Sequence, residues 1–198
     1  MVQNLEGVLK VISLINGKMR TPKINALHKM IDWLNKYKLK DPIKKLPLDD
    51  SLIEDNAWLS GLIDSDGYFA IKGFTSKSHI ALQFYLAQRK YDKSGESFEP
   101  ILQKIAEFLK TSLKLRSIRG YLQLNITTSN KKSNQILIDY LTKYPLFTSK
   151  YLNYIDWKYA YELYSQKKHP IIYKEISGIK INMNNNRKKL NRDHLKNF

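Results

Sequence analysis

The stretch AWLSGLIDSDGYFAI, residues 57–71, sets two aspartates beside a glycine at the end of a run that otherwise reads as a buried apolar helix. Trp58, Leu59, Leu62 and Ile63 form one helical stripe, Asp55 or Asn56 stands where an N-cap belongs, and Gly67 is placed to stop the helix in the left-handed conformation. Ala57, Gly61 and Ser65 recur at i, i+4 and i+8, a line of small side chains along which a second, similar helix can approach closely. Asp64 and Asp66 then lie in the last turn, where the helix macrodipole is negative and disfavours a carboxylate by roughly 0.3–1 kcal/mol. Such a placement requires a compensating positive group.

The rest of the chain is strongly basic. Against 18 Asp and Glu stand 34 Lys and Arg, a net charge of +16 on 198 residues, which favours a polyanionic partner and nucleic acid first. Charge alone does not separate a nucleic-acid enzyme from a basic ribosomal-type component. Its distribution says more. No basic residue falls between Lys45 and Lys72, yet Asp49, Asp50, Glu54, Asp55, Asp64 and Asp66 all do. Residues 167–198 carry Lys167, Lys168, Lys174, Lys180, Arg187, Lys188, Lys189, Arg192 and Lys196 against Glu175 and Asp193. Carboxylates gathered in one short segment of a basic chain suit a cation held beside a phosphate backbone; the plainer alternative is a solvated acidic loop and a capped helix. The absence of cysteine excludes disulfides, thiolate zinc sites and cysteine nucleophiles, leaving carboxylate or histidine as metal ligands. No stretch approaches the roughly 18 consecutive apolar residues of a membrane span, so no membrane partner is expected, and the first 30 residues lack a secretory pattern.

Downstream of the quoted stretch, strand and helix signals alternate. YFAIKGF (68–74) and HIALQFYLAQR (79–89) read as strands, the second with Ile80, Leu82, Phe84 and Leu86 on one face and His79, Ala81, Gln83 and Tyr85 on the other. SFEPILQKIAEFLK carries Pro100 in a first helical turn and an apolar side of Ile101, Leu102, Ile105, Phe108 and Leu109. SLKLRSI and YLQLNIT form a hairpin turning at Arg119-Gly120, with Leu122, Leu124 and Ile126 inward and Tyr121, Gln123, Asn125 and Thr127 outward. Ser133–Tyr144 and Ser149–Lys168 read as helices split at Pro145. One sheet face is apolar; the other presents Lys72, Gln83, Tyr85, Lys114, Arg116, Gln123 and Asn125. Such a face is either solvated or, with this charge, a groove-binding surface whose amide and guanidinium groups reach base edges.

LSGLIDSDG (59–67) resembles the signature of the LAGLIDADG homing endonucleases and intron maturases, with Ser60 and Ser65 in place of alanine. Trp58, the strand end YLAQR and PLFTSKYLNYIDW (145–157) are also similar to the family. The resemblance implies an α+β fold: an αββαββα half-domain with an antiparallel, saddle-shaped sheet lying on the DNA major groove, its motif helix packed on a second one through Ala57, Gly61 and Ser65. It further implies a divalent cation, Mg2+ or another, bound by Asp66 and the Ser65 carbonyl. Asp66, Gln88 and Lys150 would be the catalytic residues, with Asp64 a structural hydrogen-bonding residue. The DNA-binding set would be Lys72, Gln83, Tyr85, Arg89, Lys114, Arg116, Gln123 and Asn125.

The family needs two motif helices, from a dimer or from two halves of one chain, and one motif is found here. LINGKMRTPKINALHKMIDWLNKY (14–37) resembles the tail of a first half, and Thr21-Pro22-Lys23 echoes Thr148-Ser149-Lys150, 127 residues apart. The expected layout is a remnant of a first half-domain at 1–37, a linker at 38–50, the half-domain at 51–168 and a basic extension at 169–198. The function expected from the resemblance is sequence-specific, metal-dependent double-strand cleavage of DNA. Its alternative is a maturase that binds group I intron RNA. An intron-encoded origin in an organelle, a mitochondrion, fits the Lys, Asn, Ile and Tyr content of an AT-rich genome.

Overall fold

The computed structural model describes residues 4–73, 80–166, 170–187, 190–191 and 193–197. His79, Phe74, Lys167, Lys168, Lys188, Lys189 and Arg192, which entered the sequence reading, lie outside the described residues. Two helices, α1 (Leu5–Ile15) and α2 (Ile24–Tyr37), precede the motif helix α3 (Trp58–Asp66). Then come β1 (Gly67–Lys72), β2 (Ala81–Arg89), α4 (Glu99–Phe108), β3 (Leu113–Ile118), β4 (Tyr121–Thr128), α5 (Lys131–Lys143), α6 (Lys150–Gln166) and α7 (Pro170–Ile181). From α3 to α5 this is the expected αββαββα order. Among the described residues no helix is long and apolar enough to cross a membrane.

The four strands form one antiparallel sheet in the order β1-β2-β4-β3, so each hairpin contributes one central strand. Period-two alternation gives the sheet its two faces. Phe69, Ile71, Leu82, Phe84, Leu86, Leu124 and Ile126 point into the main core, where they meet Leu59 and Ile63 of α3, Leu102 and Ile105 of α4, Leu137 and Leu141 of α5, and Trp157 of α6. The β3–β4 hairpin turns at Arg119 and Gly120, with φ of 51° and 78°, as a two-residue loop matching the strand twist demands. Its tip outruns the covering helices: Leu122, expected inward, keeps the inner-face register but is 42% exposed.

The other departures concern helix ends. Gly67 does not stop α3 in the left-handed region. Its φ of −72° and ψ of 153° are extended, and the chain passes straight from helix into β1. Glycine is required there for space, since a Cβ would lie 2.8 Å from the Ile63 carbonyl oxygen and 3.0 Å from the Phe84 ring. At the other end Asp55 closes a short 3-10 turn (Ile53–Asp55) and Ala57 occupies the cap position. Asn56 contributes by accepting from the Trp58 amide at 3.0 Å.

Helices α1 and α2 share a small core of Ile12, Leu27, Ile31 and Leu34. The segment 38–50 folds back over them: Asn16 bonds both the Lys44 carbonyl and the Leu46 amide, and Asn35 bonds Ile43 in both directions. Arg20, almost wholly buried, pairs with Asp49 at 3.1 Å, donates to the Ser51 carbonyl at 2.6 Å and stacks over the Trp58 ring at 5.6 Å. The helix pair is thereby tied to the start of the motif helix.

Candidate active site and nucleic-acid face

The motif helix is fixed at its start by two polar contacts that its sequence only partly announces. Tyr140 of α5 accepts from the Ser60 amide at 3.2 Å and donates to the Asn56 carbonyl at 2.7 Å, satisfying one of the amides a helix start leaves without an intrahelical partner. Burial holds the Tyr140 phenol up at about 12. Ser60, which replaces a motif alanine, is buried and donates its hydroxyl to the Pro145 carbonyl at 3.1 Å, so the substitution is satisfied internally.

At the other end of α3 the two aspartates separate. The Asp64 carboxylate turns back onto the loop before α6, accepting from the Phe147 amide at 2.6 Å, the Thr148 amide at 3.2 Å and the Thr148 hydroxyl at 2.7 Å. Its place is at the amide-rich entry to another helix, which offsets the unfavourable dipole of its own. Asp66 is exposed, and its Oδ2 accepts from the Gln88 amide nitrogen at 2.6 Å. Register explains the meeting: Gly67 pairs with Leu86, so Gln88, two residues farther along β2, comes level with the last residues of α3.

Lys150, the first residue of α6, supplies the positive group. Its ammonium donates to the Ile63 carbonyl at 3.0 Å and the Ser65 carbonyl at 3.2 Å, meeting the negative end of the motif helix. Burial lowers its pKa, while the nearby charges of Asp64 and Asp66 act in the opposite sense. The structure thus brings Asp66, Gln88, Ser65 and Lys150 together at one exposed helix end. Among the described residues no group of three or more His, Cys, Asp or Glu forms a cluster able to hold a metal. What this end offers a cation is the Asp66 carboxylate and the second lone pair of the Ser65 carbonyl, few and hard oxygen donors that suit Mg2+ completed by water and phosphate.

Ala57, Gly61 and Ser65 form an exposed line on α3, and a Cβ built on Gly61 meets nothing within 4 Å. Among the described residues no helix covers them.

The eight residues expected to contact nucleic acid share the outer face of the sheet. Arg89, Gln123 and Arg116 form one cross-strand row over β2, β4 and β3, and Ala87, Asn125 and Lys114 form the next. Lys72 sits over the Tyr85 ring at 4.7 Å, the Tyr85 hydroxyl bonds Gln83, and Arg89 lies over the Tyr121 ring at 5.7 Å. Tyr68, absent from the expected set, stands opposite Tyr85 on the same face and is half exposed. Its place in the alternation of YFAIK could have found it. Arg20, Tyr140 and the residues following α7 gave no such signal, because their partners lie far away in sequence.

Comparison with known proteins accords with this arrangement. The sequence model of the LAGLIDADG endonuclease family matches residues 59–161. The chain is 31% identical over 189 residues to intron-encoded DNA endonuclease aI3 of Saccharomyces cerevisiae, covering 79% of this chain and 46% of that protein. It is 38% identical over 117 residues to the probable intron-encoded DNA endonuclease aI1 of Mycosarcoma maydis, covering 56% of this chain and 94% of that one. The fold matches the LAGLIDADG homing endonuclease I-GzeII in complex with its DNA target, with a TM-score of 0.58, 22% identity and coverage of 79% of this chain and 53% of that one. The meganuclease I-CpaMI bound to uncleaved DNA matches with a TM-score of 0.53 and 25% identity, over 72% of this chain and 47% of that one. The chain therefore spans about half the length of the yeast relative and of these structural neighbours. With the motif, the strand order and the family match in agreement, the chain belongs to the LAGLIDADG endonuclease family.

Proposed function

We propose that the chain is one catalytic half of a sequence-specific DNA endonuclease that makes a divalent-metal-dependent double-strand cut. The observation that carries this reading is the convergence of Asp66, Gln88 and Lys150 on the exposed end of the motif helix. In it, Asp66 and the Ser65 carbonyl hold the cation, which when bound supplies an activated water and charge stabilisation for phosphodiester hydrolysis. Gln88 keeps the Asp66 carboxylate oriented and has an amide to order water. The Lys150 ammonium neutralises the helix end and stands beside the path of the scissile phosphate. The outer face of the sheet takes the DNA, with Arg89, Arg116, Gln123 and Asn125 reaching base edges and Lys72 and Lys114 the phosphates.

The partner half meets the Ala57, Gly61 and Ser65 line. Residues 1–37 are the closing helices of such a half. Both α1 and α5 begin at an asparagine cap, Asn4 and Asn130, accepting from the amides of Gly7 and Ser133. Thr21-Pro22-Lys23 leads into α2 as Thr148-Ser149-Lys150 leads into α6. Val11 and Leu14 are exposed, whereas their α5 counterparts at the cap spacing of 126, Leu137 and Tyr140, are buried; Trp33 is exposed, whereas its α6 counterpart 127 residues on, Ala160, is buried under the sheet. Exposed apolar residues at those positions mark the face that a first sheet would cover. Supporting an organellar origin are relatives that are intron-encoded, one of them named for a cox1 intron.

The test is Asp66→Asn, assayed for cleavage of a library of DNA sites in magnesium and for DNA binding at fixed salt, with the chain alone and paired with a motif-bearing half-domain. Cleavage is expected to disappear while binding persists; cleavage at the unmodified rate would remove Asp66 from the metal site. A second reading, an intron maturase, is favoured by a 36% identity over 66 residues with RNA maturase bI4 of S. cerevisiae. It predicts tighter binding to folded group I intron RNA than to duplex DNA at matched salt, with no cleavage.

A further inference from the structure

The sequence presents residues 169–198 as a basic extension. Its described residues pack back onto the half-domain. Helix α7 packs on α6 through Ile176, and the chain then reaches Met183, which is also buried in the main core. At Asn184 the backbone enters the left-handed region with φ of 56°, a conformation asparagine tolerates better than most residues. That turn aims the Asn184 side chain at β1, the edge strand, where it donates to the Phe69 carbonyl at 3.0 Å. Its backbone amide donates to Asn153 Oδ1 at 2.9 Å. Arg187 Nε donates to the same oxygen at 3.1 Å, and its terminal nitrogen pairs with Asp156. Farther on, the His194 ring stacks on Tyr151 with centroids 4.2 Å apart and planes 13° from parallel, and its Nε2 donates to the Phe147 carbonyl at 3.2 Å.

Apart from the Asn184 bond to β1, these attachments fall on one short stretch, residues 147–156, which leads into α6 and contains Lys150. Otherwise the first turn of α6 is held by the Lys150 bonds to the Ile63 and Ser65 carbonyls and by Tyr151 against the core. Tyr151, Leu152 and Asn153 are half-buried, and the first α6 residue to enter the core is Tyr154. Asp64 grips the same loop from the motif helix through the Phe147 and Thr148 amides, so Phe147 is held on its amide side by the catalytic helix and on its carbonyl side by His194.

We propose that the described residues after α7 act as a positioning strap for Lys150, with Arg187 and His194 as positioning residues that hold the start of α6 against the end of the motif helix. The purpose of Lys150 rests on the function proposed above; its retention by the strap does not. The strap also explains the basic residue Arg187 without recourse to DNA, since its guanidinium is engaged by Asn153 and Asp156.

The experiment compares the full chain with Arg187→Ala, Arg187→Lys and His194→Ala by residue-resolved amide exchange and by the rate of acylation of the Lys150 amine. In Arg187→Ala and His194→Ala the Phe147 and Thr148 amides are expected to exchange about fivefold faster, the factor that loss of one net hydrogen bond gives, with Phe84 and Ile126 in the sheet centre unchanged. Lys150 should acylate faster in step, and Arg187→Lys, which keeps the charge facing Asp156, should restore part of the protection. His194→Ala keeps the test open if Arg187→Ala does not fold, because its ring lies outside the main core. Unchanged exchange at Phe147 and Thr148, or an equal rise at every amide, would overturn the proposal. In the first case the strap would not hold the loop, and in the second it would be a general stabiliser. If cleavage is measured with a motif-bearing partner half, the variants should lose kcat with KM preserved; a pair that never cleaves while the chain shows the local exchange result leaves the strap standing and removes the endonuclease reading.

Discussion

Gly67 carries two demands in one residue: the helix must end there and the sheet must begin. A left-handed stop would have turned the chain away from β2. The extended backbone instead delivers Tyr68 opposite Tyr85 at once, and the absence of a side chain lets the Ile63 carbonyl and the Phe84 ring close over it. Because φ is −72°, alanine meets no backbone penalty at this position, and the cost of Gly67→Ala is steric alone. The Ile63 oxygen at 2.8 Å belongs to the helix and cannot swing aside, so the substitution is expected to destabilise the chain by about 1–3 kcal/mol, read as a shift of the denaturation midpoint at constant slope. An unchanged midpoint would mean that the helix end yields freely. The sequence shows that a glycine is needed at 67 but not which property of it, because turn glycines and close-approach glycines look alike in one dimension. Asp64 and Asp66 are a kinder case. Their unfavourable place at the helix end is itself legible, and it points to a positive group that proves to be Lys150, 84 residues beyond Asp66 in the chain.

At the scale of elements, α3 is a helix with two occupied sides and one open side. Leu59 and Ile63 are fully buried and Ser60 is hydrogen-bonded, whereas Ala57, Gly61 and Ser65 are exposed and a Cβ on Gly61 would meet nothing within 4 Å. Gly61→Leu therefore separates folding from pairing. In the chain alone the leucine points into open space and replaces a poor helix former, so the melting temperature should not fall. In the presence of a second motif-bearing half the same side chain should prevent close helix approach, seen as lost association in sedimentation. A drop in stability of the chain alone would show that this side is already covered. The strands and helices from α3 to α6 were legible because each has a clear period: two for β2 and β4, about 3.6 for α4 and α5. What escaped was the reach of the β3–β4 hairpin beyond its helices and the packing of 38–50 and of the strap. Irregular segments have no period, and their partners are set by tertiary contacts such as Arg20 with Ser51 or Arg187 with Asp156.

For the whole molecule, the charge of +16 must be weighed by where its members are engaged. Arg20 is buried against Asp49 and Arg187 is locked to Asp156, so neither is displayed to a distant anion, and Lys150 is committed to the end of the motif helix. The outer face of the sheet differs. Arg116 is exposed beside Gln123, and Lys114 beside Asn125, on strands roughly 4.8 Å apart, a spacing that lets neighbouring side chains address one groove together. Arg116 can act there in two ways, and salt distinguishes them. A bidentate contact to a base predicts that Arg116→Ala costs roughly 1–3 kcal/mol on the preferred site and relaxes selectivity at one position. A phosphate contact predicts an even loss across sequences and a salt slope reduced by about one. The cross-strand pairing with Gln123, an amide that itself reaches base edges, favours the first outcome, to be measured as affinity against salt on matched and mismatched duplexes. If Arg116→Ala changes neither affinity nor slope on any duplex, the outer face is only solvated and the DNA must lie elsewhere on the protein.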